Sequence, residues 1–282
     1  MSTEQNESPR LLILGAHPDD AEYHAGGLAT IYRQLGRPVK FVSITDGSAG
    51  HHQMGPSELA ARRKQEANNA AALIGAECEV WSFHDGRLQP TLQLREQIIT
   101  EIRTYKPDLV LTHRPCDYHP DHRAVATAVQ DASYMVTVPL ICHEVPFLKQ
   151  DPVVAYMVDL FQKPSPLQAD VIIDISTHLD QIVRMLACHE SQFFEFLPFN
   201  HRVTEPVPSD KVQRLEWLRE WYISLIVPRN QHFAKQIAEQ CGPEVTSQTA
   251  LVEAYEISEY ARKLNRELRT LLFPTISSGD LS

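Results

Sequence analysis

Four short apolar runs, each handing over to a loop or a helical segment, restrict the first half of this chain to very few folds. RLLILG at 10 to 15, Val39 to Thr45, Glu79 to Phe83 and Leu109 to Thr112 read as strands. The first is continuously apolar rather than alternating, which is the pattern of a strand buried on both faces of a parallel sheet. Ser57 to Gly75, with an alanine-rich face, and Leu92 to Tyr105 read as helices between them. Strands alternating with helices imply right-handed crossovers, so the spacing predicts an α/β fold with a Rossmann-like, doubly wound parallel sheet.

The second half is less regular. Val153 to Asp159 and Val171 to Ile175 read as strands separated by the proline-marked KPSPLQ, and Thr177 to Phe194 as one long helix. The proline-rich LPFNHRVTEPVPSD leads to a helix from Asp210 to about Val227, and AYEISEYAR is a candidate last strand. The expected organisation is a disordered tail at 1–8 and a single domain over 9–282. Within it lie an α/β core at about 9–195 and a helical C-terminal elaboration at about 196–275.

Composition narrows the function classes. A chain of 282 residues, 43% hydrophobic, can bury one sizeable core. Its net charge of −10, with both signs interleaved, offers no footprint for nucleic acid or an anionic membrane. The five cysteines are widely spaced, form no CxxC pair and are odd in number, which argues against a disulfide framework and for a reducing, cytoplasmic setting. MSTEQNESPR lacks the features of a secretory signal, and no long apolar stretch suggests a membrane span.

In open α/β sheets ligands bind beyond the carboxyl ends of the strands, where strand order reverses. AHPDD, with His17, Asp19 and Asp20, follows the first predicted strand. THRPCDYHPDH, with His113, Asp117, His119, Asp121 and His122, follows the fourth. A hydrolytic zinc needs three nitrogen or oxygen ligands and one open position, which such a set supplies. The bland alternatives are that Asp19 or Asp20 caps a helix starting near Tyr23, and that Pro120 and Asp121 merely open another helix. Two adjacent acids, and two histidine–aspartate clusters both at strand ends, exceed what capping requires. GxGxxG is missing after the first strand, which disfavours a dinucleotide-binding dehydrogenase.

These motifs resemble the LmbE-like, or PIG-L-like, deacetylase family. The matching pieces are AHPDDAE at 16 to 22, the glycines at 26 and 27, TDGSAG at 45 to 50, Arg63 with Glu66, DGRL at 85 to 88, PDLVLTH at 107 to 113 and DYHPDHRAV at 117 to 125. The resemblance implies zinc on His17, Asp20 and His122, with iron(II) or cobalt(II) also compatible with such ligands. It implies Asp19 as general base, and His119 as the residue that stabilises the oxyanion and protonates the departing amine. It also implies substrate contacts from Arg63, Asp117 and His51.

Tyr23 and His24 stand where relatives often carry Leu-Gly, and Arg114 where an acid is frequent, which bears on substrate identity rather than on the metal ligands. His24 reads as a first-turn helix residue and His189, in ACHESQF, as a core or supporting histidine. Arg63 and Glu66, three apart, would by themselves read as a surface ion pair, Asp85 as a turn residue, and His51 with His52 as a solvated loop pair. Trp217 and Trp221, four apart, read as core or interface.

The expected function is zinc-dependent hydrolysis of the acetamide of an N-acetylglucosamine-type substrate, a small N-acetylated sugar being the implied partner. Cleavage of a larger, non-acetyl amide is the first alternative, a non-catalytic sugar-binding relative the second. Self-association stays open.

Overall fold

The computed structural model describes residues 8–241, 245–246 and 250–275, so all of the expected tail except Ser8 lies outside the described residues. The chain runs β1 Leu11–Gly15, α1 Asp20–Gln34, β2 Val39–Thr45, α2 Pro56–Ala72, β3 Glu77–Phe83, α3 Leu92–Tyr105, β4 Leu109–Thr112 and α4 Pro120–Met135. It continues with β5 Val153–Met157, β6 Val171–Asp174, α5 Leu179–Cys188, α6 Leu197–Asn200, α7 Lys211–His232, α8 Ala234–Gln240, β7 Val252–Ile257 and α9 Arg266–Leu272.

The seven strands form one sheet in the order β3-β2-β1-β4-β5-β7-β6. β1, β2, β3, β4 and β5 are mutually parallel, while β7 runs antiparallel to both β5 and β6. The sheet is therefore mixed where a parallel one was expected. The candidate last strand AYEISEYAR is realised as β7, which starts earlier, at Val252, and is apolar enough to be buried between two neighbours, with Val252, Ala254 and Tyr255 all fully covered.

Alternate residues of β1 point to opposite faces, so each face has its own core. Leu11 and Ile13 meet α1, α5 and α7 through Leu28, Ile31, Ile182 and Tyr222. Leu12 and Leu14 meet α3 and α4 through Ile98, Ile102, Val125 and Val129. Order reverses between β1 and β4, where Leu14 pairs with Thr112. That register brings the loops leaving both strands level at one edge of the sheet.

Two helices depart from the sequence reading. The segment expected as one helix over 177–194 is α5, a break at His189 (φ −84, ψ 60) and a π-helical turn at Ser191–Phe196. The backbone N–H and Oγ–H of Ser191 both donate to the buried Glu66 carboxylate, which anchors the chain where it leaves the α-helical path. α7 continues through Pro228 to His232, further than expected, and starts at Asp210, whose carboxylate accepts the N–H groups of Val212 and Gln213. Among the described residues no helix is long and apolar enough to cross a membrane, and all five cysteines are free.

Candidate active site

The turn after β1 is tight because a side chain lies against Gly15: a Cβ there would stand 2.8 Å from that of Asp20. Asp20 folds back so that its Oδ2 accepts the His17 N–H at 2.7 Å. Asp19 has φ 139, a region costly for a residue with a side chain. It makes no side-chain cap bond to α1, so capping does not explain it. Instead its Oδ2 accepts from Arg63 Nη2 at 3.1 Å.

His17 Nδ1 lies 3.3 Å from His122 Nε2 and 3.5 Å from Asp20 Oδ2, and His122 Nε2 lies 3.6 Å from Asp20 Oδ1. Ligand atoms about 2.0–2.1 Å from a tetrahedral ion stand about 3.3 Å apart, and the two ring nitrogens, each with one oxygen of Asp20 nearby, lie close to that spacing. The outer ring nitrogens are engaged elsewhere. His17 Nε2 faces Asp85 at 3.2 Å and Asp121 at 3.4 Å, and His122 Nδ1 faces Asp117 at 3.0 Å. Protons on those outer nitrogens leave the inner lone pairs directed at each other, an arrangement that suits a cation between them. The donor set of two imidazoles and a carboxylate fits zinc, and also iron(II) or cobalt(II).

Other groupings share these atoms: His17 with His119 and His122, Asp20 with His113 and His122, and His17 with Asp85 and Asp121. His113 stacks on His122 at 3.8 Å and sets Nε2 3.0 Å from Asp20 Oδ2. Burial depresses the His17 imidazole, but Asp121, Asp20 and Asp85 outweigh it and hold the pKa well above the ordinary value. Burial alone would raise Asp20, yet His113 and His122 hold it well below the ordinary carboxylate range. A cation entering this cluster displaces the proton on it. Burial lifts the Asp19 carboxyl to about 6 against the pull of Arg63, keeping it near the range of a working general base.

His119 caps α4, its Nδ1 accepting the Asp121 N–H at 3.2 Å. The bond fixes the ring proton on Nε2. Burial, reinforced by the neighbouring His17, lowers its pKa, favouring the neutral form.

The remaining candidates occupy varied places. Asp117 lines the cleft and positions His122, also accepting the His119 N–H at 2.9 Å. Arg63, though it borders the cleft, is buried and spends its guanidinium on Pro18 O, Gly47 O and Asp19. A Cβ on Gly47, which has φ 67, would stand 2.8 Å from Arg63, which accounts for that glycine. Arg63 and Glu66 are not a surface pair: both are buried, and Glu66 receives Arg62 Nε at 2.9 Å. His51 does not line the cleft. Its Nε2 meets Glu195 at 3.0 Å and its Nδ1 accepts the N–H groups of Gln53 and Met54, so the ring is tied within its loop rather than solvated. His52 stacks on Phe199.

His189 is fully buried, 3.2 Å from Glu22 and outside the cleft, as a supporting residue would be. Trp217 and Trp221 pack on the first core. His24, by contrast, lines the cleft.

Sequence reasoning passed over Asp85 and Asp121 as partners of His17. Asp121 is fully buried and accepts the N–H groups of Gly86 and Leu88. Its place in HPDH, next to a proposed ligand, was the available signal. The cleft, about 740 Å³, is also walled by Tyr118, Leu160, Phe161, Phe196, Leu197 and Leu225, a largely apolar side.

Residues 12–133 match the PIG-L family model, described as GlcNAc-PI de-N-acetylase. A diacetylchitobiose deacetylase of Thermococcus kodakarensis is 29% identical over 196 residues, spanning 67% of this chain and 72% of its own. Among solved structures, the N,N'-diacetylchitobiose deacetylase from Pyrococcus horikoshii superposes with a TM-score of 0.68 at 20% identity, over 90% of this chain and 85% of the other. The 4-carboxy-2-hydroxymuconate hydratase from Pseudomonas putida KT2440 reaches 0.69 at 17% identity, over 91% and 99%. A hydrolase and a hydratase thus share the fold, and the chemistry must be argued from the site.

Proposed function

We propose that this chain, whose residues 12–133 match the PIG-L family model, is a member of that family and a metal-dependent deacetylase that hydrolyses the acetamide of an N-acetylglucosamine-type substrate. The observation that carries the reading is the arrangement of His17, Asp20 and His122, with both imidazoles backed by carboxylates and their inner nitrogens convergent. These three residues would hold the ion, which supplies Lewis acidity and a lowered water pKa.

The protein's own groups carry the proton traffic. Asp19, held over the site by Arg63 in a strained backbone, takes the proton from the attacking water. His119, neutral with its proton on Nε2, donates to the oxyanion that develops on the acetyl carbonyl. Its Nδ1 already accepts a backbone N–H, which favours this role over delivery of a proton to the amine. The carboxyl of Asp19 then returns its proton to the departing nitrogen. The products are acetate and the amino sugar.

The test is acetate release from a panel of N-acetylated sugars, on chelated and zinc-reconstituted protein in parallel. Metal-dependent release from one N-acetylglucosamine derivative supports the reading. No release from any, with metal bound, counts against it. The apolar wall of the cleft favours a second reading, hydrolysis of an amide with a larger acyl group, which the same panel tests with N-butanoyl and N-octanoyl glucosamine.

A further inference from the structure

The cleft is bordered by two arginines, Arg63 and Arg229. The first commits both terminal nitrogens to protein oxygens, only its Nε being buried without a partner. Arg229, from the last turns of α7, is 5% exposed, and its Nη1 is buried without a hydrogen-bond partner. Among the described residues no carboxylate lies within 4.0 Å of its guanidinium. Glu253, the acid it acts on electrostatically, is already committed to the N–H groups of Gly27 and Leu28 and to Tyr255 Oη. Its ring contact, with Tyr23 at 5.5 Å, leaves the forked edge of the guanidinium without a partner.

A buried guanidinium is costly unless paired. His24 Nδ1, on the same wall of the cleft, is likewise buried and without a partner. Arg229 lies over Tyr23, Tyr23 beside His24 at 4.9 Å, and His24 edge-on to His113 at 5.6 Å, which stacks on His122. The rings of Tyr23 and His24 thus stand between the cation and the metal ligands in this run of contacts.

We infer that Arg229, with His24 beside it, is a recognition site for an oxyacid group, carboxylate or phosphate, carried by the substrate away from its acetamide. A guanidinium matches two oxygens of such a group through parallel N–H donors, a geometry that a lysine would not reproduce. In a chain of net charge −10, with Asp19, Asp20, Asp85, Asp117 and Asp159 on the same cleft, an unpaired guanidinium is a feature that would favour an anionic substrate. The inference rests on the cleft being the substrate site, though not on the reaction being deacetylation.

The experiment compares three probes: the methyl glycoside of N-acetylglucosamine, its carboxymethyl glycoside and N-acetylglucosamine 1-phosphate. Binding is measured by calorimetry on zinc-loaded protein in an Asp19→Asn background, with Arg229 intact and as Arg229→Met; hydrolysis of each probe is measured with Asp19 restored. The site predicts that at least one anionic probe binds tenfold or more tightly than the methyl glycoside, and that Arg229→Met removes this preference while leaving the neutral probe within about twofold. Which anion is preferred tells carboxylate from phosphate. Equal binding of all three with Arg229 intact overturns the inference. So does an anionic preference that survives Arg229→Met, since it then belongs to the metal. Should Arg229→Met fail to fold, Arg229→Gln takes its place with the same expectations. Arg229-dependent binding without hydrolysis of any probe upholds the anion site and counts against the deacetylase reading.

Discussion

Nδ1 of His17 and Nε2 of His122 stand 3.3 Å apart, while Asp121 and Asp117 hold the opposite nitrogen of each ring. The proton that the surrounding carboxylates hold on His17 occupies the place a divalent cation would take. The pairing also separates residues that would bind the ion from residues that orient those ligands, and the two groups respond differently to substitution.

Asp20→Ala and His122→Ala should each lose stoichiometric zinc, whereas Asp19→Asn should retain it and lose turnover by about 10²- to 10⁴-fold. Metal analysis beside acetate release checks this. Equal metal content and equal rates in all three would remove the division of roles.

Asp117→Asn and Asp121→Asn replace a carboxylate that backs an imidazole. Each should weaken zinc binding by about 10- to 100-fold without abolishing it. Competition against a chromophoric chelator measures the loss. Wild-type affinity in both would mean that the outer nitrogens do not set the orientation of the rings.

Burial raises the Asp19 carboxyl to about 6, and Arg63 opposes the rise. A base must be ionised to act, so kcat/KM should climb as pH increases through this value. A bound dication pulls the limb to about 6 or below. Removing the guanidinium in Arg63→Met takes away a lowering influence, so the acid limb should move to higher pH. A pH profile of the two proteins decides, and a limb that stays in place or moves down would sink the coupling.

Glu253 is buried and accepts from Gly27 N–H on one oxygen and from Leu28 N–H and Tyr255 Oη on the other. Glu253→Gln sets an amide NH₂ against one of these donors. It should cost about 1–3 kcal/mol of stability, read from denaturant unfolding, with little change in metal binding. A variant as stable as the parent would mean that α1 does not depend on this carboxylate.

What the amino-acid order determined by itself is local and periodic. Largely apolar runs at β1, β2 and β4 announce buried strands, and AHPDD and HPDH name the groups that leave β1 and β4, because a strand end and the residues after it travel together. Partnership across the chain was decided only by the tertiary structure. His17 meets Asp121 some 104 positions away because β1 and β4 are adjacent and in register at Leu14 and Thr112. Arg63 and Glu66, three apart, turn to Asp19 and Ser191 because α2 lies between the β1 loop and the break at His189. AYEISEYAR announced a strand but not its antiparallel place between β5 and β6, and Arg229 enters the cleft from a segment with no motif to mark it, since burial depends on what packs against a residue and not on its neighbours in sequence.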